Sequence, residues 1–232
     1  MVNEGKAVST PTLHYIYDPL CGWCYAAAPL VQAARSVIAV RAHGGGLMAG
    51  AQRRPVTPEL RQYVMPHDQR IAQLSGQPFG QSYFDGLLRD LGAVFDSAPP
   101  ITAVLAADEL ADAGLNMLVR LQKAHYVEGR RLAEADVLQE LAAEVRLNRD
   151  AFGSVFRTLE GAATQAHIGQ SRALMARVGG HGFPTFALEI DARLTHVDIG
   201  PFLGQPDAWR DWLTQQLPRA SPAAAQGAAT DI

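Results

Sequence analysis

Hydrophobic positions change rhythm twice along the 232-residue chain. Leu13–Tyr17 (LHYIY) follows Pro11 as a short run of aromatic and branched residues, which predicts a buried strand. Asp18-Pro19 ends it, because the residue ahead of a proline is pushed out of the helical region. Tyr25–Ser36 (YAAAPLVQAARS) is alanine-rich and predicts a helix, kinked where Pro29 lacks the N–H that the preceding turn needs. Val37–Ala42 (VIAVRA) predicts a second strand, with His43-Gly44-Gly45-Gly46 as its flexible end. Strand, helix and strand in that order form one βαβ unit.

From about Thr57 to about Val178 the rhythm is helical. Predicted helices are Glu59–Met65, Gln81–Leu91, Ile101–Ala111, Met117–Val127, Glu134–Val145, Arg149–Gly161 and Ser171–Val178, separated by Pro66, Pro78, Pro99-Pro100, Gly114 and Gly129. Val137, Leu138, Leu141, Ala142 and Val145 make an apolar stripe whose plain reading is core packing. Beyond Gly179-Gly180-His181-Gly182 the strand pattern returns. Phe183–Ile190 and Leu194–Val197 predict a hairpin around Asp191-Ala192-Arg193, a three-residue link without the usual glycine. Pro206–Leu217 closes the folded part as an amphipathic helix with Trp209, Trp212, Leu213 and Leu217 on or near one face. The tail from Pro218, rich in alanine and proline, is expected to be disordered.

With 48% hydrophobic residues the chain can bury a full core. A net charge of −3 with well-mixed signs gives no basic patch, so nucleic acid is set aside as a partner. No stretch approaches the roughly 18 apolar residues of a spanning helix, and MVNEGKAVSTPTLHYIY holds no apolar run of signal-peptide length. The expectation is a soluble, cytoplasmic protein without a membrane partner.

Composition changes the picture most at cysteine. The two cysteines of the chain stand together as Cys21-Gly22-Trp23-Cys24, between the first strand and the first helix. Structural disulfides usually join distant segments, so this distribution favours chemistry. A CxxC at a helix start places Cys21 at the cap, exposed, and Cys24 a turn deeper. Free N–H groups and the helix dipole stabilise a thiolate on the first cysteine. Cys21 then attacks a disulfide and Cys24 resolves the mixed disulfide. Gly22 and Trp23 add no charge, so the couple is expected in the reducing or intermediate range, and Trp23 offers an apolar contact to an unfolded substrate. Half a zinc site, an iron–sulfur cluster shared across a dimer and an inert buried pair remain as alternatives; no metal is assigned.

Phe183-Pro184-Thr185 is the second informative site. From the residues alone, a trans proline at a strand start is the plain expectation; a cis bond would turn the Phe183 backbone toward the cysteines. His14, His43, His125, His167, His181 and His196 are candidates for proton transfer. His181 stands out because it precedes Pro184 in a glycine-rich loop, and Asp18 and Tyr17 because they precede the CxxC.

Taken together, Tyr17–Tyr25 around the CxxC, His43-Gly44-Gly45-Gly46-Leu47, His125-Tyr126-Val127-Glu128-Gly129-Arg130 and Gly182-Phe183-Pro184-Thr185-Phe186 resemble the DsbA-like branch of the thioredoxin superfamily. Within it the chain is most similar to bacterial FrnE-like proteins, also described as predicted protein-disulfide isomerases. The resemblance implies an α/β, thioredoxin-like fold with a large all-helical insertion: thioredoxin-like parts at 12–56 and 179–217, an insertion at 57–178 and a tail at 218–232. It implies Cys21 and Cys24 as the redox pair, Pro184 as a cis-proline beside them, and Phe183, Thr185, Gly22 and Trp23 as substrate contacts. His181 and Asp18 are kept for a proton or electrostatic role. No cofactor is implied, and the partners are protein or peptide thiols and disulfides, with glutathione or a thioredoxin-type reductant as electron source. DsbA enzymes typically carry proline and histidine between their cysteines, so Gly22-Trp23 argues against a strongly oxidising role. Two other readings are a glutathione-linked isomerase or transferase of small aromatic molecules and a peptide-holding, chaperone-like module.

Overall fold

The computed structural model describes residues 10–218, and the tail expected to be disordered lies, Pro218 apart, outside the described residues. Strand β1 (Thr12–Tyr17) is buried at every position. It is central in a four-stranded sheet, and a central strand with a layer on each face has no solvent side. Cys21 caps α1 (Gly22–Ala26), and Ala27 separates α1 from α2 (Ala28–Ala34). Pro29 therefore sits in the first turn of a new helix, where its missing N–H costs nothing, rather than kinking a longer one.

Strand β2 (Ala39–Gly44) lies two residues later than the sequence pattern predicts. Hydrogen bonds from Val37 and Ile38 N–H to the Ala34 carbonyl close the helix end over that stretch. His43 and Gly44 consequently belong to the strand, paired with Ile16 and Tyr17 in a parallel β1–β2 ladder.

The chain then pairs β3 (Arg54–Pro55) with β4 (Val94–Phe95) around α3 (Pro58–Ser75). Thr57 caps α3 by accepting a bond from Leu60 N–H, and Gly76, at φ 71°, ends it in the left-handed region. The helix runs straight through Pro66, which the sequence suggested as a break. Burial of Leu60, Asp68 and Ile71 on the face toward α1 outweighs the one hydrogen bond that Pro66 forfeits. Residues 81–91 do not form the expected regular helix: a π turn at Ser82–Gly86 passes into a 3-10 turn at Leu87–Arg89.

Helices α4 (Ala98–Ala111), α5 (Gly114–Tyr126), α6 (Ala135–Glu144), α7 (Arg149–Leu159) and α8 (Ala162–Arg177) follow. Leu138, Leu141 and Ala142 of the α6 stripe are fully buried, with Val137 and Val145 beside them. Helix α8 begins nine residues before the predicted segment, at Ala162 rather than Ser171. Its first half, rich in alanine, is exposed apart from Thr164, Ile168 and the half-buried His167, so it shows little apolar periodicity.

Strand β5 (Thr185–Ile190) returns antiparallel to β1, and β6 (Arg193–Val197) pairs with β5, giving the order β2-β1-β5-β6. Arg193 pairs with Ile190, so the hairpin loop has two residues, Asp191 and Ala192, not three. Both take positive φ (50° and 63°), the twist that a two-residue hairpin demands, without the glycine that usually announces it. Helix α9 (Pro206–Gln216) packs on α2 with Trp209 and Leu213 fully buried. One apolar core runs from the sheet through the helical region, joining Tyr15, Cys24 and Leu30 to Tyr83, Leu121 and Leu141. Among the described residues no helix is long and apolar enough to cross a membrane.

His125 is buried, packed edge-on to Tyr126 and Phe95, and its Nδ1 has no partner among the described residues. Burial pushes it down to about 3 from 6.5. Stability held above pH 6.5 is therefore lost as the pH falls toward 3, because the unfolded chain takes up a proton that the native protein refuses. His125→Phe is expected to remove roughly 3 kcal/mol of the acid loss between pH 7 and pH 4, read by urea unfolding at the two pH values. An unchanged difference would place the acid sensitivity elsewhere.

Candidate active site

The end of β1 delivers Asp18 to a fully buried position, where its carboxylate collects three donors from three segments. Leu20 N–H (2.8 Å) and Ser97 Oγ–H (3.0 Å) donate to Oδ1, and Leu47 N–H (2.5 Å) donates to Oδ2. Ser97 also accepts from Met48 N–H at 3.0 Å. The CxxC loop, the loop after β2 and the start of α4 are thus tied at one point. Burial pushes Asp18 up to about 6, the three hydrogen bonds holding it lower than burial alone would.

The two cysteines differ sharply. Cys24 is fully buried; its Sγ accepts from Asp18 N–H at 3.4 Å, and burial first, then its contact with Cys21, push its thiol well up. Cys21 is also more enclosed than its place at a helix cap suggests, at 8% exposure. It opens on a 360 Å³ cleft that Leu47, Arg172, Met175, His181, Gly182 and Phe183 complete. The Phe183-Pro184 peptide is cis, and Cys21 Sγ donates to the Phe183 carbonyl at 3.4 Å. A backbone carbonyl therefore faces the outer sulfur across the gap between α1 and β5.

The loop between β2 and Leu47 forms the wall opposite. Arg172 of α8 donates from Nε to the Gly45 carbonyl (2.7 Å) and from Nη2 to the Gly46 carbonyl (2.6 Å). The Phe183 ring lies against Gly45, where a Cβ would stand 2.1 Å from a ring carbon. Gly22 is equally confined on the inner side, where a Cβ would meet Asp68 Oδ1 at 2.7 Å and Ile71 Cδ1 at 2.8 Å. The room between the cysteines is fitted to glycine at its first position.

Several residues singled out in the sequence fall elsewhere. Trp23 is partly buried against the core and does not line the cleft. Thr185 is buried, its hydroxyl donating to the Gly182 carbonyl at 2.7 Å, so the side chain holds the loop instead of facing a substrate. Tyr17 is a core residue. Of the candidate histidines, His181 alone lines the cleft. His14 bridges His43 (2.9 Å) and Glu189 (2.8 Å) on the α8 side of the sheet, His167 accepts from Gly44 N–H (3.0 Å), and His196 is exposed on β6. Burial, and then its histidine neighbours, push His43 down to about 4. Arg172, Met175 and Ser97 carry no signal in the sequence, where nothing distinguishes them from other residues of their kind, and Leu47 enters there only as the end of the glycine stretch. Among the described residues no three His, Cys, Asp or Glu side chains gather as a metal site.

The family model of the DSBA-like thioredoxin domain matches residues 12–197. A solved structure of the cytosolic disulfide reductase DsbM from Pseudomonas aeruginosa is 59% identical over 88% of this chain and 98% of its own, with a TM-score of 0.84. A second structure of that protein, with GSH, is 58% identical over the same shares at a TM-score of 0.83. A 2-hydroxychromene-2-carboxylate isomerase shares the fold alone, at 14% identity over 88% of this chain and 97% of its own and a TM-score of 0.55. A comparison with curated proteins gives no match.

Two substitutions test this geometry. Gly45→Ala should push the Phe183 ring away, withdraw its carbonyl from Cys21 and destabilise the fold by about 1–3 kcal/mol. Gly169→Ala, in open space on α8, should be neutral or stabilising by up to about 1 kcal/mol. Thermal unfolding of both, with the rate of Cys21 alkylation, separates the two cases. Asp18→Ala leaves the Leu20, Leu47 and Ser97 donors without their acceptor and is expected to cost about 2–4 kcal/mol in urea unfolding at pH 7; a cost near zero would mean that water replaces the carboxylate.

Proposed function

The chain belongs to the DSBA-like thioredoxin domain family, and on that premise we propose that it reduces protein and small disulfides in the cytosol with electrons from glutathione. It is a thiol–disulfide oxidoreductase whose working pair is Cys21 and Cys24. The observation that carries the reading is the asymmetry of the pair: Cys21 opens on the cleft, and Cys24 lies behind it with a thiol that burial keeps protonated.

In the reducing direction the Cys21 thiolate attacks one sulfur of a substrate disulfide and the other sulfur leaves as a thiolate that takes a proton. Cys24 then gives up its proton and attacks Cys21 Sγ, releasing the second substrate thiol and leaving the Cys21–Cys24 disulfide. One glutathione thiolate opens that disulfide at Cys21, returning the Cys24 thiol. A second attacks the glutathione sulfur of the mixed disulfide, giving glutathione disulfide and the Cys21 thiolate. The Phe183 carbonyl offers a hydrogen-bond acceptor to a peptide N–H beside the reacting sulfurs, Pro184 shapes that edge, and Arg172 brings a guanidinium to the wall of a cleft that admits a small anionic peptide. We take residues 57–178 as the inserted unit between thioredoxin-like parts at 12–56 and 179–217; it contributes Ser97, Arg172 and Met175 to the site. Support for the cytosol and for glutathione comes from the 59% likeness to a cytosolic disulfide reductase and from the structure of that protein with GSH.

Cys24→Ser exposed to glutathione disulfide should accumulate one stable glutathione adduct on Cys21, seen by intact mass, and Cys21→Ser should accumulate none. Equilibration of the wild-type pair in glutathione buffers should give a potential of about −230 to −270 mV. A value near −120 mV on the same scale would make the protein a strong oxidant and overturn the reductase reading.

A further inference from the structure

One buried ionisable pair has no part in the exchange steps above. Asp68 of α3 is buried, and its Oδ2 accepts a 2.7 Å hydrogen bond from the buried Tyr83 hydroxyl. Its Oδ1 points at the backbone of Gly22, 2.7 Å from where a Cβ would stand. Burying a carboxyl is costly unless it is well paired. Among the described residues Asp68 has one hydrogen bond, from a neutral phenol, and the basic group that bears on it is the adjacent His67.

We propose that Asp68, held by Tyr83 against the residue between Cys21 and Trp23, is a positioning charge that makes the dithiol a stronger reductant. The proposal deepens the reductase reading and rests on it. Reduction turns an uncharged disulfide into a dithiol whose attacking form carries negative charge on Cys21. A carboxylate packed one residue away, in a site poor in water, disfavours that charge and leaves the disulfide untouched. The reduced form is destabilised relative to the oxidised one, so electrons are given up more readily. Burial pushes Asp68 up to about 6, and the Tyr83 bond acts the other way, so the group is mostly ionised at neutral pH. Arg172, across the cleft, has the opposite sign, but two of its nitrogens are engaged by the Gly45 and Gly46 carbonyls. Gly22 and Trp23 bring no charge to the pair; the helical region supplies one from the side.

The test is the equilibrium of the full-length protein with reduced and oxidised glutathione at pH 7. Asp68→Asn should raise the equilibrium constant for reduction of the disulfide about three- to tenfold. Tyr83→Phe, which loosens the hold on the carboxylate, should raise it by less in the wild-type background and not at all in the Asp68→Asn background. A purely structural role for the pair would alter melting without producing that pattern, and should Asp68→Asn prevent folding, Tyr83→Phe carries the test alone. A wild-type protein that does not exchange with glutathione overturns the reductase reading and this inference together. A wild-type protein that exchanges, with Asp68→Asn indistinguishable from it or more strongly reducing, overturns this inference alone.

Discussion

A buried carboxylate, that of Asp18, holds the site in register. A charge in this position would be prohibitively costly without donors, and its three come from the adjoining Leu20 and from Leu47 and Ser97, which are remote in sequence. Each donor fixes a different wall. Leu20 sets the entry to α1 and therefore Cys21; Leu47 sets the loop on which the Phe183 ring rests; Ser97 anchors the start of α4. Since the energy of the carboxylate depends on all three being present, the walls of the cleft are coupled through one residue.

The asymmetry of the cysteines follows from this packing. Cys24 sits on the apolar side of α1, under Tyr15, whose hydroxyl donates to the Cys24 carbonyl at 3.1 Å. Cys21 sits where α1 meets the end of β5 and faces a carbonyl instead of a side chain. The same stretch of backbone thus produces one sulfur that holds its proton and one that reaches the cleft. The helical region is part of this arrangement: α3 confines Gly22, α4 braces Asp18, and α8 clamps the glycine loop with Arg172.

Where the sequence misled, a tertiary term outweighed a local one. Pro66 reads as a helix end, yet the buried face of α3 carries the helix past it. The Asp191-Ala192 turn lacks glycine, yet pairing of Ile190 with Arg193 fixes a two-residue loop. Cys21 reads as exposed from its cap position, yet it is enclosed in the fold, with the Phe183 carbonyl, far along the chain, 3.4 Å from its sulfur.

The sequence by itself determined the elements with strong local signatures: the βαβ start, the apolar stripe of α6, the closing tryptophan helix and the concentration of both cysteines in one CxxC. These depend on side-chain period, turn chemistry and residue type, which are local properties. Through its resemblance to a known family it also pointed to the Phe183-Pro184 peptide. Only the tertiary structure decided which side chains meet around the sulfurs, because Asp18 with Ser97, Gly22 with Asp68 and Gly45 with Phe183 and Arg172 are contacts between segments tens of residues apart or more. Their energies come from burial and from hydrogen bonds made in a water-poor interior, and those exist only once the chain has folded.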